Sequence, residues 1–146
     1  MARLPTGVTV VTAMGAEGPS GLTANAVVSL SLDPPLMLAC LDRGSRTLRA
    51  VESAGRFGVN VLGAGHEDLA RAFSTKAPQP EKWDGVAWTE RAGIPALDEA
   101  LVWVACDLED VLTGGDHVIA TGSVLEVEST DGDPLVFHQG AYRALG

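Results

Sequence analysis

The stretch GLTANAVVSLSLD, Gly21 to Asp33, sorts its side chains by parity. Leu22, Ala24, Ala26, Val28, Leu30 and Leu32 hold the even positions; Thr23, Asn25, Ser29 and Ser31 hold odd ones, and Val27 breaks the rule. A period of two places alternate residues on opposite faces of an extended chain, which predicts one strand over Leu22–Leu32 with its apolar face in a core. The other face carries hydroxyls and an amide but no charge, unlike the Lys- and Glu-rich faces that usually meet bulk water. Small neutral hydrogen-bonding groups suit a face pressed against a cofactor or another subunit. They also suit an ordinary half-exposed strand, and parity alone does not separate the two.

Strand-like runs recur on either side: Gly7 to Ala13, Leu36 to Leu41, Phe57 to Leu62, Leu101 to Val111, His117 to Val127 and Leu135 to Phe137. GAEGPSG, DPP, TGGD and DGDP supply turn chemistry between them. Pro34 and Pro35 have no N–H to give to a ladder, so pairing is expected to break at the DPP turn. Ser45 can cap a helix over RTLRAVESA that Gly55 ends, and HEDLARAFS places Leu69 and Phe73 on one helical face with acids in its first turn. Thr75 to Ala96, interrupted by Pro78, Pro80 and Pro95, reads as a long loop. Many strands and few helices predict a mainly β fold, a barrel or a sandwich, and a closed barrel would hide the edges of so many apolar strands.

At 146 residues, with 46% hydrophobic and 20% charged residues, the chain is read as one domain, 1–146, with a core of its own. Cys40 and Cys106 each lie inside an apolar run, which favours small buried packing over a disulfide and leads to the expectation of a reducing, cytoplasmic setting. No apolar run approaches the roughly 20 residues that span a bilayer, and VTVVTA near the start alternates like a strand, so no membrane association or signal peptide is expected. A net charge of −9 with scattered Lys and Arg argues against a nucleic-acid partner. One phosphate, by contrast, needs only a few local donors.

CLDRGSRT, Cys40 to Thr47, provides such donors. A strand ends, Gly44 permits a turn, and the helix beginning after Ser45 presents first-turn amides without intrahelical partners, beside the Ser45 and Thr47 hydroxyls and the Arg46 guanidinium. A plain N-cap with a solvent-facing Arg is the competing reading. The three histidines, His66, His117 and His138, are far apart in sequence and form no metal-binding pattern, so no metal is expected. His117 stands out because Gly114, Gly115 and Asp116 set it at a strand start. No GxSxG elbow or carboxylate pair recommends hydrolysis. A polar strand and an anion turn without an evident acid, base or nucleophile point to chemistry carried by a bound cofactor.

These segments resemble the short-chain flavin reductase family, FMN-binding split barrels that serve as reductase components of two-component monooxygenases. TGVTVVT at Thr6–Thr12, GLTANAVVSLSLDPPLMLACLDRGSRT at Gly21–Thr47, GRFGVNVL at Gly55–Leu62 and GDHVIATGSVLEV at Gly115–Val127 carry the likeness, with weaker agreement in HEDLARAFS and PLVFHQGAYR. The resemblance implies a Greek-key-like split β-barrel with short flanking helices and a homodimer with flavin near the subunit interface. By the same likeness Thr23, Ala24, Asn25 and Ala26 line the flavin ring and ribityl chain, Cys40, Leu41 and Asp42 lie beside it, and Ser45, Arg46 and Thr47 bind its phosphate. Phe73 and Lys82 match positions near the cofactor, His117 a catalytic position facing the nicotinamide, and Tyr142 a C-terminal aromatic.

The implied reaction is hydride transfer from NADH or NADPH to FMN, with reduced flavin passed to a flavin-dependent monooxygenase. FAD in place of FMN stays open, as do the choice of nicotinamide and a flavin-binding or electron-transfer role without turnover. A dimeric structural domain is a third reading. Two departures from the family pattern stand out. Ala26 replaces the serine of TANS, which removes one neutral hydrogen bond worth about 0.5–1.5 kcal/mol. Only Met1 and Ala2 precede RLPTGV, where relatives carry a helix, so a truncated start is one expectation.

Overall fold

The computed structural model describes residues 2–145. Its elements are β1 (Thr6–Gly7), β2 (Thr9–Gly15), β3 (Gly18–Ala24), β4 (Val27–Leu32), β5 (Pro35–Asp42), α1 (Arg46–Ala54), β6 (Arg56–Val61), α2 (Glu67–Ser74) and α3 (Gln79–Lys82). There follow β7 (Trp88–Arg91), β8 (Ile94–Leu97), β9 (Val102–Gly114), β10 (His117–Ser129), β11 (Leu135–His138) and β12 (Ala141–Ala144). The fold is mainly β, as the turn-punctuated strands predict.

Seven antiparallel strands form the main sheet in the order β3-β2-β6-β9-β10-β5-β4. Its two terminal strands, β3 and β4, are consecutive in the chain and joined only by Asn25 and Ala26. So short a link reaches no more than about 11 Å, and the sheet must curl until its ends meet. Ala24 of β3 and Ala39 and Leu41 of β5 accordingly share one core cluster with Val11, Phe57 and Val104. No ladder joins β3 to β4 or β5, which leaves the barrel split along that seam.

The single strand expected over Leu22–Leu32 is therefore two strands, and its parity inverts at the corner. Leu22 and Val27 pack on the core, whereas Val28, Leu30 and Leu32 are 52%, 46% and 89% exposed. Val27, the one exception to the alternation, marks the inversion. The DPP turn is the tip of the β4–β5 hairpin, with pairing continuing to Leu32 opposite Pro35.

α1 follows its sequence signals. The Ser45 hydroxyl oxygen accepts from the Leu48 amide at 3.1 Å, and Gly55, at φ 71°, ends the helix with its N–H on the Val51 carbonyl. Leu48 and Val51 seat the helix in the barrel core. A second cluster containing Val10, Leu62, Ala70, Phe73, Trp83 and Leu135 lies under α2 and α3.

Residues 75–96, expected as a loop, contain α3, β7 and most of β8. Pro80 in the first turn of α3 suits a helix start, where its missing N–H costs nothing. Ala92 and Gly93, at φ 54° and 74°, form the two-residue turn of the β7–β8 hairpin; an alanine there conceals a turn that Asn-Gly would have announced. Buried Asn60 fixes this hairpin, its Oδ1 accepting from Leu97 N at 2.9 Å while its Nδ2 donates to Val10 O and Thr12 Oγ1. Thr12 Oγ1 in turn donates to Pro95 O at 2.6 Å. Both cysteines are free, and burial, with Asp107 adding to it, pushes the Cys106 thiol up to about 12. No helix among the described residues is long and apolar enough to cross a membrane.

Candidate functional site

The residues expected to bind a cofactor rim the seam of the barrel. β3 is the last strand on its side of the sheet, so one backbone edge lacks a ladder partner. Part of that edge is satisfied by α3, where Gln79 Oε1 accepts from Gly21 N at 2.9 Å and from Trp83 Nε1 at 3.3 Å. Further along, the Thr23 hydroxyl donates to Ala70 O of α2 at 2.6 Å, and Thr9 Oγ1 donates to Ala24 O at 2.7 Å. At the corner Asn25 and Ala26 are exposed, and Ala26 O accepts from Cys40 N at 2.8 Å. The rim then follows the end of β5 to the helix start, and Ser20 Oγ, 2.9 Å from Thr47 Oγ1, closes it back onto β3.

Asp42 shapes the turn into α1. Its Oδ1 accepts from Gly44 N at 2.8 Å and its carbonyl from Ser45 N at 3.1 Å. Arg43 ties this turn to the β9–β10 turn, donating from Nη1 to Gly115 O at 3.1 Å and from its amide to Asp116 O at 3.2 Å. His117 is the ladder partner of Asp42, so strand register brings it to the anion turn across 75 positions of sequence. Its Nδ1 lies 2.7 Å from Asp116 Oδ1, and this hydrogen bond, followed by the charge of His117, holds the Asp116 carboxyl below its usual range.

Lys82 is the most unusual side chain of the group. It is buried, with Nζ 3.4 Å from both Gly21 O and Phe73 O. Burial, and then the neighbouring Arg46 charge, lowers its pKa. Among the described residues neither Lys82 nor Arg46 makes an ion pair. A buried ammonium with two long carbonyl contacts and a second cation nearby is short of negative charge.

Other expected positions contribute differently. Thr47 is fully buried and its hydroxyl pairs with Ser20, so its backbone is the part suited to an anion. Ser45 spends an oxygen lone pair on the Leu48 amide and keeps its O–H available. Leu41 gives its side chain to the core, whereas Cys40 is half-buried. Phe73 is fully buried, edge-on to Trp83 at 4.9 Å between centroids. Both rings lie against Gly21, where an added Cβ would stand 3.0 Å from Phe73 and 3.2 Å from Trp83, so glycine lets α2 and α3 close on the rim. Tyr142 stands in a separate three-stranded sheet, β1-β11-β12, and packs on the cluster that holds Ala70 and Phe73, with Arg71 over its ring at 5.5 Å.

Sequence reasoning missed Gln79 and Trp83, which anchor α3 to β3, because they fall in the supposed loop. Pro78 and Pro80 around Gln79 were the available signal. A cleft of about 860 Å³ adjoins the rim, and Arg46 is the one expected site residue that lines it.

Comparison with known proteins places this geometry. The flavin reductase like domain matches residues 1–146. The chain belongs to the flavin reductase-like family. A probable flavin reductase of Rhizobium meliloti is 41% identical over 94% of the chain, although the chain spans only 44% of that protein. The FMN reductase (NADH) RutF 2 of Rhizobium rhizogenes is 37% identical, with 99% of the chain and 85% of the relative covered. HsaB, the reductase subunit of a flavin-dependent monooxygenase of Mycobacterium tuberculosis, is 35% identical, with coverage of 96% and 76%. Among solved structures, the NADH:FAD oxidoreductase SgcE6 of Streptomyces globisporus, in complex with NAD and FAD fragments, superposes with a TM-score of 0.92 at 33% identity, covering 99% of the chain and 88% of SgcE6.

For a flavin reductase-like chain, the residues present fit a flavin phosphate. The helix start supplies amides and the Ser45 hydroxyl, Arg46 supplies a guanidinium, and Lys82 supplies a charge that the protein itself leaves uncompensated.

Proposed function

We propose that the chain is an NAD(P)H-dependent flavin reductase whose flavin lies along the seam between β3 and β5, with its phosphate at Ser45, Arg46 and Lys82. The buried, unpaired Lys82 beside Arg46 carries this reading, because an anion resolves the charge imbalance there. Bound flavin would supply the hydride acceptor. Around it, the corner Thr23–Ala26 and the end of β5 would orient the ring, while His117 would face the nicotinamide from the β9–β10 turn. The names of the relatives support NADH as donor and a monooxygenase as recipient of reduced flavin.

The same reading includes a homodimer. Strand register places Leu112, Ile119 and Cys40 in one row, with Leu38 and Val28 alongside on the same face. β4 is an edge strand that exposes Val28, Leu30 and Leu32. An apolar edge of this kind invites pairing, and a second copy would cover it and bring a second wall to the nearby seam.

Equilibrium titration with FMN tests the phosphate assignment. Arg46→Ala and Lys82→Met should each weaken binding by about tenfold or more, the cost of one charge-assisted hydrogen bond. Wild-type affinity in the double variant would refute the assignment.

A further inference from the structure

α1 carries a second face that starts at Arg46 of the proposed phosphate site and continues past it through the exposed Arg49 and Ser53, with buried Ala50 at its base. Arg46, Arg49, Ala50 and Ser53 recur at intervals of three and four, so they line one side of the helix for two turns, roughly 10 Å. This strip is one wall of the cleft of about 860 Å³. The β2–β3 turn forms part of the lining, and Pro19, Pro78 and Pro80 add apolar rings. Arg46, Arg49 and Glu17 are its charged lining residues, so the cleft carries a surplus of positive charge in a chain of net charge −9.

The cleft is separate from the place proposed for the flavin ring. Thr23, Asn25, Cys40, Asp42 and His117 do not line it; it meets the proposed site only at Arg46, the phosphate end. Whatever fills it would begin at a phosphate, run along a helix that offers a second guanidinium, and lay an uncharged flat group against proline rings. We infer that this cleft takes the adenosine-phosphate half of FAD, with Arg49 on the second phosphate and the adenine against the proline wall. The inference rests on the phosphate assignment above: the two phosphates of FAD are directly linked, so a flavin phosphate at Ser45 and Arg46 places the remainder of the molecule at the mouth of the cleft. It makes Arg49 and Ser53 determinants of FAD over FMN, while the seam residues serve both flavins equally.

Calorimetric titration of the intact protein with FMN and FAD separately tests this. The variants Arg49→Glu, which reverses the charge, and Ser53→Trp, which fills the cleft, both change exposed residues; circular dichroism checks that the fold is kept. The wild type should bind FAD about tenfold more tightly than FMN, the gain from one further charge-assisted contact. Each variant should erase that margin while leaving FMN affinity within about twofold. Equal affinities for the two flavins in the wild type, an equal loss of both in the variants, or a loss confined to NADH or NADPH would overturn the inference. Absence of FMN binding in the wild type would instead strike at the proposed function and remove the basis of the inference with it.

Discussion

β3 and β4 are neighbours in the chain, joined by two residues, yet they do opposite things. Leu22 and Ala24 of β3 pack on the barrel core, and the free edge of that strand is taken up by α2 and α3. Val28, Leu30 and Leu32 of β4 face outward on an edge strand. The difference teaches that alternation identifies a strand without saying which face is wet. Two corner residues, Asn25 and Ala26, are enough to exchange the faces, and the seam that their crossing leaves open is where the expected cofactor residues collect.

Substitutions that place the same charge on each half should give the most divergent results. Ala24→Asp puts an unpaired carboxylate at a buried site and should lower stability by about 4 kcal/mol or more, seen as a large fall in the denaturant midpoint. Leu30→Asp, on the exposed half, should leave the monomer folded within about 1 kcal/mol but shift the proposed dimer to monomers in sedimentation. A dimer that survives Leu30→Asp unchanged would remove β4 from the interface. An unaffected midpoint for Ala24→Asp would mean that the two strands are not distinguished by burial.

A smaller effect should appear in the pH dependence of FMN binding. The free protein holds the Lys82 pKa below the ordinary lysine value, through burial and then Arg46. The anion requires the charged form, so affinity should be flat on the neutral side and fall as pH rises through that lowered value, earlier than an ordinary lysine would allow. Lys82→Arg should flatten the alkaline fall, measured by titration across pH. At the far side of the same rim, His117→Ala should raise KM for NADH by about tenfold while leaving the flavin Kd unchanged, if His117 faces the nicotinamide as proposed. A shift in flavin Kd of the same size would move His117 to the flavin itself.

Much of this was legible in the sequence because it is local. Ser45 and Gly55 bound α1 as helix caps should, and the Gly115–Asp116 turn sets His117 at the head of β10 as its glycines indicate. What escaped depends on contacts distant in sequence. The Asn25–Ala26 corner is visible only once β3 and β4 are known to be opposite ends of one sheet. The β7–β8 hairpin is held by Asn60 and Thr12, far upstream, and turns on an alanine at positive φ. Thr47 reads as a free hydroxyl in the sequence, and its partner Ser20, 27 positions upstream, meets it only in the fold. Lys82 was assigned by resemblance alone; its physical reason, a buried charge near Arg46 without an acid partner, belongs to the folded chain.

The most direct test is anaerobic stopped-flow mixing of the flavin-loaded protein with NADH and, separately, with NADPH, following the absorption band of oxidised flavin. A flavin reductase with its ring in the β3–β5 seam should show rapid bleaching with at least one of the two nicotinamides. Tight flavin binding without bleaching by either would contradict hydride transfer and leave a flavin-binding protein in its place.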